Sequence, residues 1–407
     1  MSSVLDLSLE SNQAERRVSR LSWLSLAAVL CATGWGSNQI TPMEVYYRLH
    51  LHLSSGVEQA MFGVYALGLI PGLLVAGPLS DVKGRRPVVL PGAALSLLAT
   101  ASLVGGEHDV ALLFVGRLLA GFSSGAVFSA GSAWLGEISR EQDVRVDAHT
   151  VARRVTVAMT LGFGTGPIVA GALAEWGPDP GWVSYLPALI FAAVALTASI
   201  RLPETGGSPD ERVRLGTGIK ALHRRRFLLL VVPMAPWVFA SMAIAFSYLP
   251  DVLNAGTSQD GIALIGSLTG LALICGVLVQ PFARRMEARR RNSPAARMGL
   301  ATLIVGLLVA VVTAWGHLLW MLAICAVVLG CAYGMLMVAG LVETQKLADP
   351  KRLGQATALF LALTYLGFGL PFLLALLAPL ATVAVLLGGV TVVALTATIV
   401  VIARTSS

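Results

Sequence analysis

Two arginine-bearing segments hold the side chains best suited to charge chemistry. The first is Gly77-Pro-Leu-Ser-Asp81-Val-Lys-Gly84-Arg85-Arg86-Pro87. Gly84 allows a turn with positive φ. Asp81 can accept hydrogen bonds or face the positive end of a helix. Arg85 and Arg86 can pair with carboxylates of a neighbouring segment. A basic anchor loop is the plain reading; the Gly, Asp, Gly, Arg, Arg spacing favours a latch. The second segment is Arg117-Leu-Leu-Ala-Gly121-Phe-Ser-Ser-Gly125, inside an apolar run that begins after Asp109. Eight helical residues carry Arg117 roughly 12 Å into that run, where an unpaired, unhydrated charge costs several kcal/mol. Either it snorkels to the surface or it faces a central cavity, and the second is the preferred expectation.

A third segment, Gly162-Phe-Gly164-Thr-Gly166-Pro167-Ile-Val-Ala-Gly171, spaces small residues four apart around a proline. That pattern permits close helix contact and bends the helix, as ordinary helix packing also would. Carboxylates near the apolar runs are few. Glu44 lies about 35 Å along a helix counted from Leu21, near or beyond the edge of a ~30 Å hydrocarbon core. Glu44 and Glu58 are therefore read either as proton-coupling acids or as solvated loop residues. Asn38, Gln39, Tyr65, Ser124, Trp237, Tyr248, Tyr333 and Tyr365 are candidates to line a substrate cavity. For the aromatics near segment ends, interfacial anchoring is the other reading.

The elements that position these side chains are set by composition. The chain has 407 residues, of which 56% are hydrophobic and 13% charged, and the mean hydropathy is +0.77. A soluble domain carries ~25% charged residues, so a soluble enzyme, a disordered chain and a coiled coil are excluded. A transmembrane β-barrel would alternate apolar and polar residues. What remains is an all-α membrane protein, because in lipid each segment must satisfy its own backbone. At about 20 residues per span, the sequence predicts twelve, near 21–43, 58–80, 87–105, 109–136, 151–175, 181–201, 227–250, 261–283, 296–315, 318–342, 353–377 and 380–403.

Of the 29 Lys and Arg residues, only Arg48 falls in a loop after an odd-numbered span, and Arg117 falls inside a span. By the positive-inside rule both termini are cytoplasmic. A cleaved signal peptide is disfavoured although Arg16, Arg17 and Arg20 precede an apolar run. Residues 202–226 form the longest cytoplasmic connection, with Pro203, Gly206-Gly207 and Ser208-Pro209 ahead of a short basic amphipathic piece, Ile219 to Arg226. The expected organisation is a tail (1–20), a six-helix bundle (21–201), this linker, a second six-helix bundle (227–403) and a tail (404–407). Leu161-Gly-Phe-Gly164 recurs as Leu366-Gly-Phe-Gly369, Glu137 matches Glu343, and Gly77-Pro-Leu79 matches Gln280-Pro-Phe282. Near-equal offsets at the same topological places argue for parallel duplication, a transporter architecture. The counterpart of Arg117 is Ala323, so its charge is not imposed by the repeat. Cys31, Cys275, Cys325 and Cys331 sit in apolar runs and read as buried hydrophobes.

The Gly77–Pro87 loop resembles the GxLxDxxGRR signature of the major facilitator superfamily, and the twelve spans, two halves and middle loop extend the resemblance over the chain. It implies two pseudo-symmetric bundles that rock in alternating access. It further implies that Asp81, Arg85 and Glu137 form a network steadying the outward-facing state, with Asp81 facing the start of the eleventh helix near Gly354. The second copy of the loop is degenerate: Arg284 takes the place of Asp81, leaving Glu343 to pair with Arg284 or Arg285. Arg117 to Gly125 resembles the family's RxxxGxxxG element, associated with proton coupling. The deep acid of the first helix in related exporters is missing here, so Glu44 and Glu58 are its substitutes. Were Arg117 near one of them, protonating the acid would release the arginine for an anionic or polar substrate. Gly162, Gly166, Pro167 and Gly171 resemble the GxxxGPxxG element of drug–proton antiporters, with Arg154 in place of its upstream glycine.

The expected function is proton-coupled export of small organic or drug-like compounds; the alternative is proton-coupled import of a metabolite such as a sugar or organic acid. The expected partners are a small-molecule substrate, protons and the lipid bilayer of the cell membrane, with the chain a monomer. No metal, cofactor or nucleic acid is expected. No nucleophile–base pair, metal cluster or phosphate loop is visible, which argues against a membrane enzyme.

Overall fold

A computed structural model describes residues 22–143, 145–205, 227–257, 260–289, 293–348 and 353–405. The basic pieces Arg16 to Arg20 and Ile219 to Arg226 lie outside these residues. The first expected span is α1 (Ser22–Asn38), which breaks at Gln39 and resumes as Ile40–Leu51. Gln39 N–H still bonds the Trp35 carbonyl (3.0 Å), so the break is a joint in a continuing rod. There follow α2 (Ser55–Lys83), α3 (Arg86–Gly105), α4 (Val110–Gln142), α5 (Ala148–Trp176), α6 (Pro180–Ser199), α7 (Phe227–Val252), α8 (Gly261–Arg289), α9 (Pro294–Gly316), α10 (Met321–Leu347), α11 (Ala356–Leu377) and α12 (Val383–Thr405). Among the described residues eleven helices are long and apolar enough to cross a bilayer; α1, at 17 residues, is the shorter twelfth.

Local chemistry sets the helix ends. Ser54, Asp109 and Asp147 accept from the backbone N–H of Val57, Ala111 and Thr150, satisfying orphan donors at the starts of α2, α4 and α5. Gly84 ends α2 at φ +101°, a conformation that favours glycine. Several helices outrun their expected spans: α4 continues to Gln142 and α8 to Arg289, because polar residues at the edge of the core extend a helix as readily as apolar ones. Large apolar side chains such as Leu67, Leu98, Leu278, Val392 and Ile399 point outward, as a lipid solvent requires. Trp176, Trp182, Trp315 and Trp320 are exposed at helix ends on one face, like the aromatic belt of a bilayer interface. That face, the Arg48 face, also carries Arg48, and the opposite one, the Arg85 face, carries Arg85.

The packing repeats. In the first six helices α4 lies against α2 and α3, and α6 against α1 and α3. In the second six α10 lies against α8 and α9, and α12 against α9 and α7. The same small-residue solution serves both pairs. A Cβ on Gly121 would sit 2.1 Å from the Tyr65 carbonyl oxygen of α2, and one on Gly330 would sit 2.3 Å from the Ala272 carbonyl oxygen of α8. The two bundles meet chiefly where α5 crosses α8 and α2 crosses α11.

Candidate functional site

On the Arg85 face the guanidinium of Arg85 gathers three elements. Its Nε and Nη2 donate to Glu137 at the end of α4 (3.0 and 2.8 Å), and Nη1 donates to Asp81 and to the Ser80 hydroxyl (2.6 Å). Burial pushes the Arg85 pKa down, but hydrogen bonds and charge from Glu137 and Asp81 more than offset this and leave it raised. The cation therefore persists at any physiological pH. Asp81, Arg85 and Glu137 thus come together. Arg86 is exposed, and among the described residues it enters the network through its backbone N–H.

That N–H leads to a residue sequence reasoning missed. Glu204, just beyond α6, accepts from the backbone N–H of Arg85 (2.7 Å) and Arg86 (3.0 Å). Its carboxylate lies at the positive start of α3, tight against Gly84, where a Cβ would meet it at 2.5 Å. The neighbouring Thr205 hydroxyl donates to Glu137. More than a hundred residues separate Glu204 from the loop, so no local pattern could have revealed it.

The second bundle repeats this with other residues. Glu343 accepts from Lys346 (2.8 Å) and from the Ser293 hydroxyl (2.7 Å), in place of the expected Arg284 or Arg285. Glu287 accepts from the Ala295 N–H at the start of α9 (3.1 Å), as Glu204 does at α3. The cation comes from the acid's own helix because Lys346 lies one turn beyond Glu343. The side-chain surroundings of Gly354 lie outside the described residues.

The Arg48 face carries ties between the bundles. Arg48 pairs across the bundles with Asp251 of α7 and, within its own bundle, with Glu58 (3.4 Å). The Ser247 hydroxyl donates to Gln59 (3.0 Å). Trp176 Nε1 donates to Asp260 (3.0 Å), and Glu175 accepts from the Ile262 and Ala263 N–H groups at the start of α8 (2.8 and 3.2 Å). Glu44 and Glu58 are not solvated: they are 1% and 3% exposed. The helical extension of α1 packs on α5 and α8, and that lateral cover accounts for the burial of Glu44. Arg117, Arg48 and Glu58 lie within electrostatic reach of Glu44. Among the described residues, both amide atoms of Gln39, Thr41 Oγ1 and Glu44 Oε1 are buried without a hydrogen-bond partner, the state in which a polar group is ready for water, a proton or a ligand.

Between these faces lies a central pocket lined by Asn38, Tyr65, Phe163, Phe239, Tyr333 and Tyr365, together with Met242, Phe246, Leu273 and Phe368. Four of the candidate lining residues are here: Asn38, Tyr65, Tyr333 and Tyr365. Ser124 hydrogen-bonds Ser37 (2.8 Å) one layer behind. Gln39, Trp237 and Tyr248 are buried elsewhere in the interior. Arg117 is 1% exposed and does not snorkel. It donates to the carbonyls of Met61 (3.2 Å) and Ser37 (3.1 Å) and stacks 4.7 Å from the centroid of Tyr65. The third motif lies where the bundles cross. A Cβ on Gly162 would be 2.0 Å from the Cys31 carbonyl oxygen of α1, Gly166 abuts Trp35, and Gly171 and Pro167 face Ile262 and Gly266 of α8.

The model of one family, the Major Facilitator Superfamily, matches residues 24–371. The chain belongs to that superfamily. Within it, the chain is 25% identical over 252 residues to Multidrug resistance protein 1 of Bacillus subtilis, covering 58% of this chain and 62% of that one. It is 32% identical over 229 residues to the Molybdate-anion transporter of Xenopus tropicalis, covering 53% and 49%. The chain thus spans about half to three fifths of these curated relatives. Its fold superposes on a mutant of the nucleoside transporter NupG with a TM-score of 0.75 over 95% of this chain and 99% of that one, at 14% identity. This superfamily fold accounts for the repeated packing and for the pocket between the bundles.

Proposed function

We propose that this superfamily member is a secondary active transporter that exports small organic compounds in exchange for protons, by alternating access. The observation that carries the reading is the central pocket, walled by aromatic side chains of both bundles with a buried arginine against it. Residues 21–201 and 227–403 act as the two rocking bodies, joined by 202–226. The basic Arg85 face is cytoplasmic and so are both termini, because Lys and Arg concentrate there. The Arg48 ties then close the pocket from outside, and rocking parts them.

Glu44 is the best candidate for the proton. It is buried, has an oxygen without a hydrogen-bond partner among the described residues, and lies within electrostatic reach of Arg117 and Arg48. Parting the Arg48–Asp251 pair would open a route from outside water to Glu44. The multidrug resistance relative and the GxxxGPxxG element support export. In reconstituted proteoliposomes with an imposed pH gradient, the protein drives efflux, and Asp81→Asn or Arg117→Ala abolishes it while the mutants still insert. Full efflux by either purified mutant refutes the mechanism.

A second reading, proton-coupled import, is favoured by the Glu44–Arg117 proximity. Protonating Glu44 leaves Arg117 positive and ready for an anion, so proton and cargo would travel together. The Molybdate-anion transporter relative supports anionic cargo. Acidifying the outer side of the vesicles distinguishes the two: substrate moving with the protons means import.

A further inference from the structure

We propose that the central pocket selects flat aromatic compounds that are neutral or anionic, and disfavours organic cations. The proposal rests on the transport reading above and narrows its substrate class. Phe239 is the hub of the aromatic wall. It stacks on Tyr365 at 4.3 Å with 24° between the rings, lies 4.7 Å from Phe368, and lies 5.5 Å from Tyr333. Tyr65 meets Phe368 edge-on at 6.4 Å. Walls of this kind accept a further ring by offset or edge contact, which favours planar ligands.

An aromatic box alone would suit a cation, because ring faces are negative. Three features turn this pocket the other way. First, Phe239 and Tyr365 each give a face to the other, which leaves positive ring edges as a larger share of the wall. Second, Arg117 stacks on the ring of Tyr65, and a ring already polarised by one cation is a poorer host for a second. Third, among the described lining residues there is no carboxylate to offset a bound cation; Asn38 is the polar amide. Glu44, the acid near Arg117, is not among the residues that line the pocket. A desolvated organic cation would meet net repulsion, whereas a carboxylate or phenolate is drawn toward Arg117 in this low-dielectric setting.

The test uses three ligands that share one ring system and differ in charge: 2-naphthoate, 2-naphthamide and 2-naphthylmethylammonium. Binding to the purified full chain in nanodiscs is measured by calorimetry, and flux in proteoliposomes. The expected result is that naphthoate and naphthamide bind at least about tenfold more tightly than the ammonium compound, the scale of one cation–aromatic contact. Arg117→Gln narrows that gap, and Phe239→Ala weakens the two favoured ligands together. Equal or tighter binding of the ammonium compound overturns the proposal, as does failure of all three wild-type measurements. Selective binding without flux would sink the transport reading and leave this selectivity standing. Flux of the ammonium compound with naphthoate excluded would do the reverse.

Discussion

Arg85 joins the α2–α3 turn to the end of α4 through one guanidinium, and geometry explains why lysine would not serve. The planar fork reaches both oxygens of Glu137 and, on its other side, Asp81 and Ser80. A lysine carries a point charge that cannot span these partners. Arg85→Lys is expected to cut transport rate several-fold with little change in expression, measured as efflux per reconstituted protein. Glu204 works differently: it answers backbone N–H groups at a helix start. Glu204→Gln removes the charge and keeps the shape. It should lower the stability of the detergent-solubilised protein by about 1 kcal/mol, the worth of a charge-assisted hydrogen bond at a helix terminus, read as a lower melting temperature. The Asp81–Arg85–Glu137 set was legible because two members share one short motif and the third ends a span. Glu204 was not, since it reaches the turn only through the tertiary fold. The solvated reading of Glu44 fails for a related reason. Counting rise along a helix gives depth, not lateral cover, and the extension of α1 is roofed by α5 and α8.

Helix contacts in this fold depend on which glycines face backbone. Gly121 and Gly162 oppose carbonyl oxygens of α2 and α1 at distances no Cβ could occupy, 2.1 and 2.0 Å. Gly388 on α12 has nothing within 4 Å. Gly162→Val and Gly121→Val should therefore force the helices apart at a cost of roughly 1–3 kcal/mol or more. Gly388→Ala should be neutral or stabilise by up to about 1 kcal/mol through helix propensity. Thermal unfolding of the three variants side by side checks this; equal behaviour would mean the close approaches are unimportant. The sequence flags all three positions alike as glycine in an apolar run. What separates them is the facing surface, which periodicity does not encode. The antiporter-like element belongs here too, because its glycines make the crossing where α5 touches both α1 and α8.

Across the whole molecule, polar ties on the Arg48 face oppose a network on the Arg85 face that lies within one bundle. Among the described residues Arg48–Asp251 is the ion pair within those ties. Asp251→Asn should loosen that face, seen as faster labelling of a cysteine placed at Ala255, which is fully buried. With the four native cysteines replaced, labelling is expected to rise roughly fivefold, the population shift given by about 1 kcal/mol of lost closing free energy. Unchanged labelling would show that the other ties suffice. Twelve spans and their duplication were readable from hydropathy and repeated motifs, because lipid imposes helices and duplication leaves offsets. The ties were not, since each joins residues of different bundles. Glu204 has one more effect. It pins the chain at the α2–α3 turn directly after α6, so the last fixed point before the connection is that turn rather than the end of the helix. Any pull transmitted along residues 206–226 is delivered to the turn that holds Arg85. A shortened linker would therefore strain that turn before it restrained the second bundle, and a graft that keeps Pro203 to Thr205 would preserve the mooring whatever sequence follows.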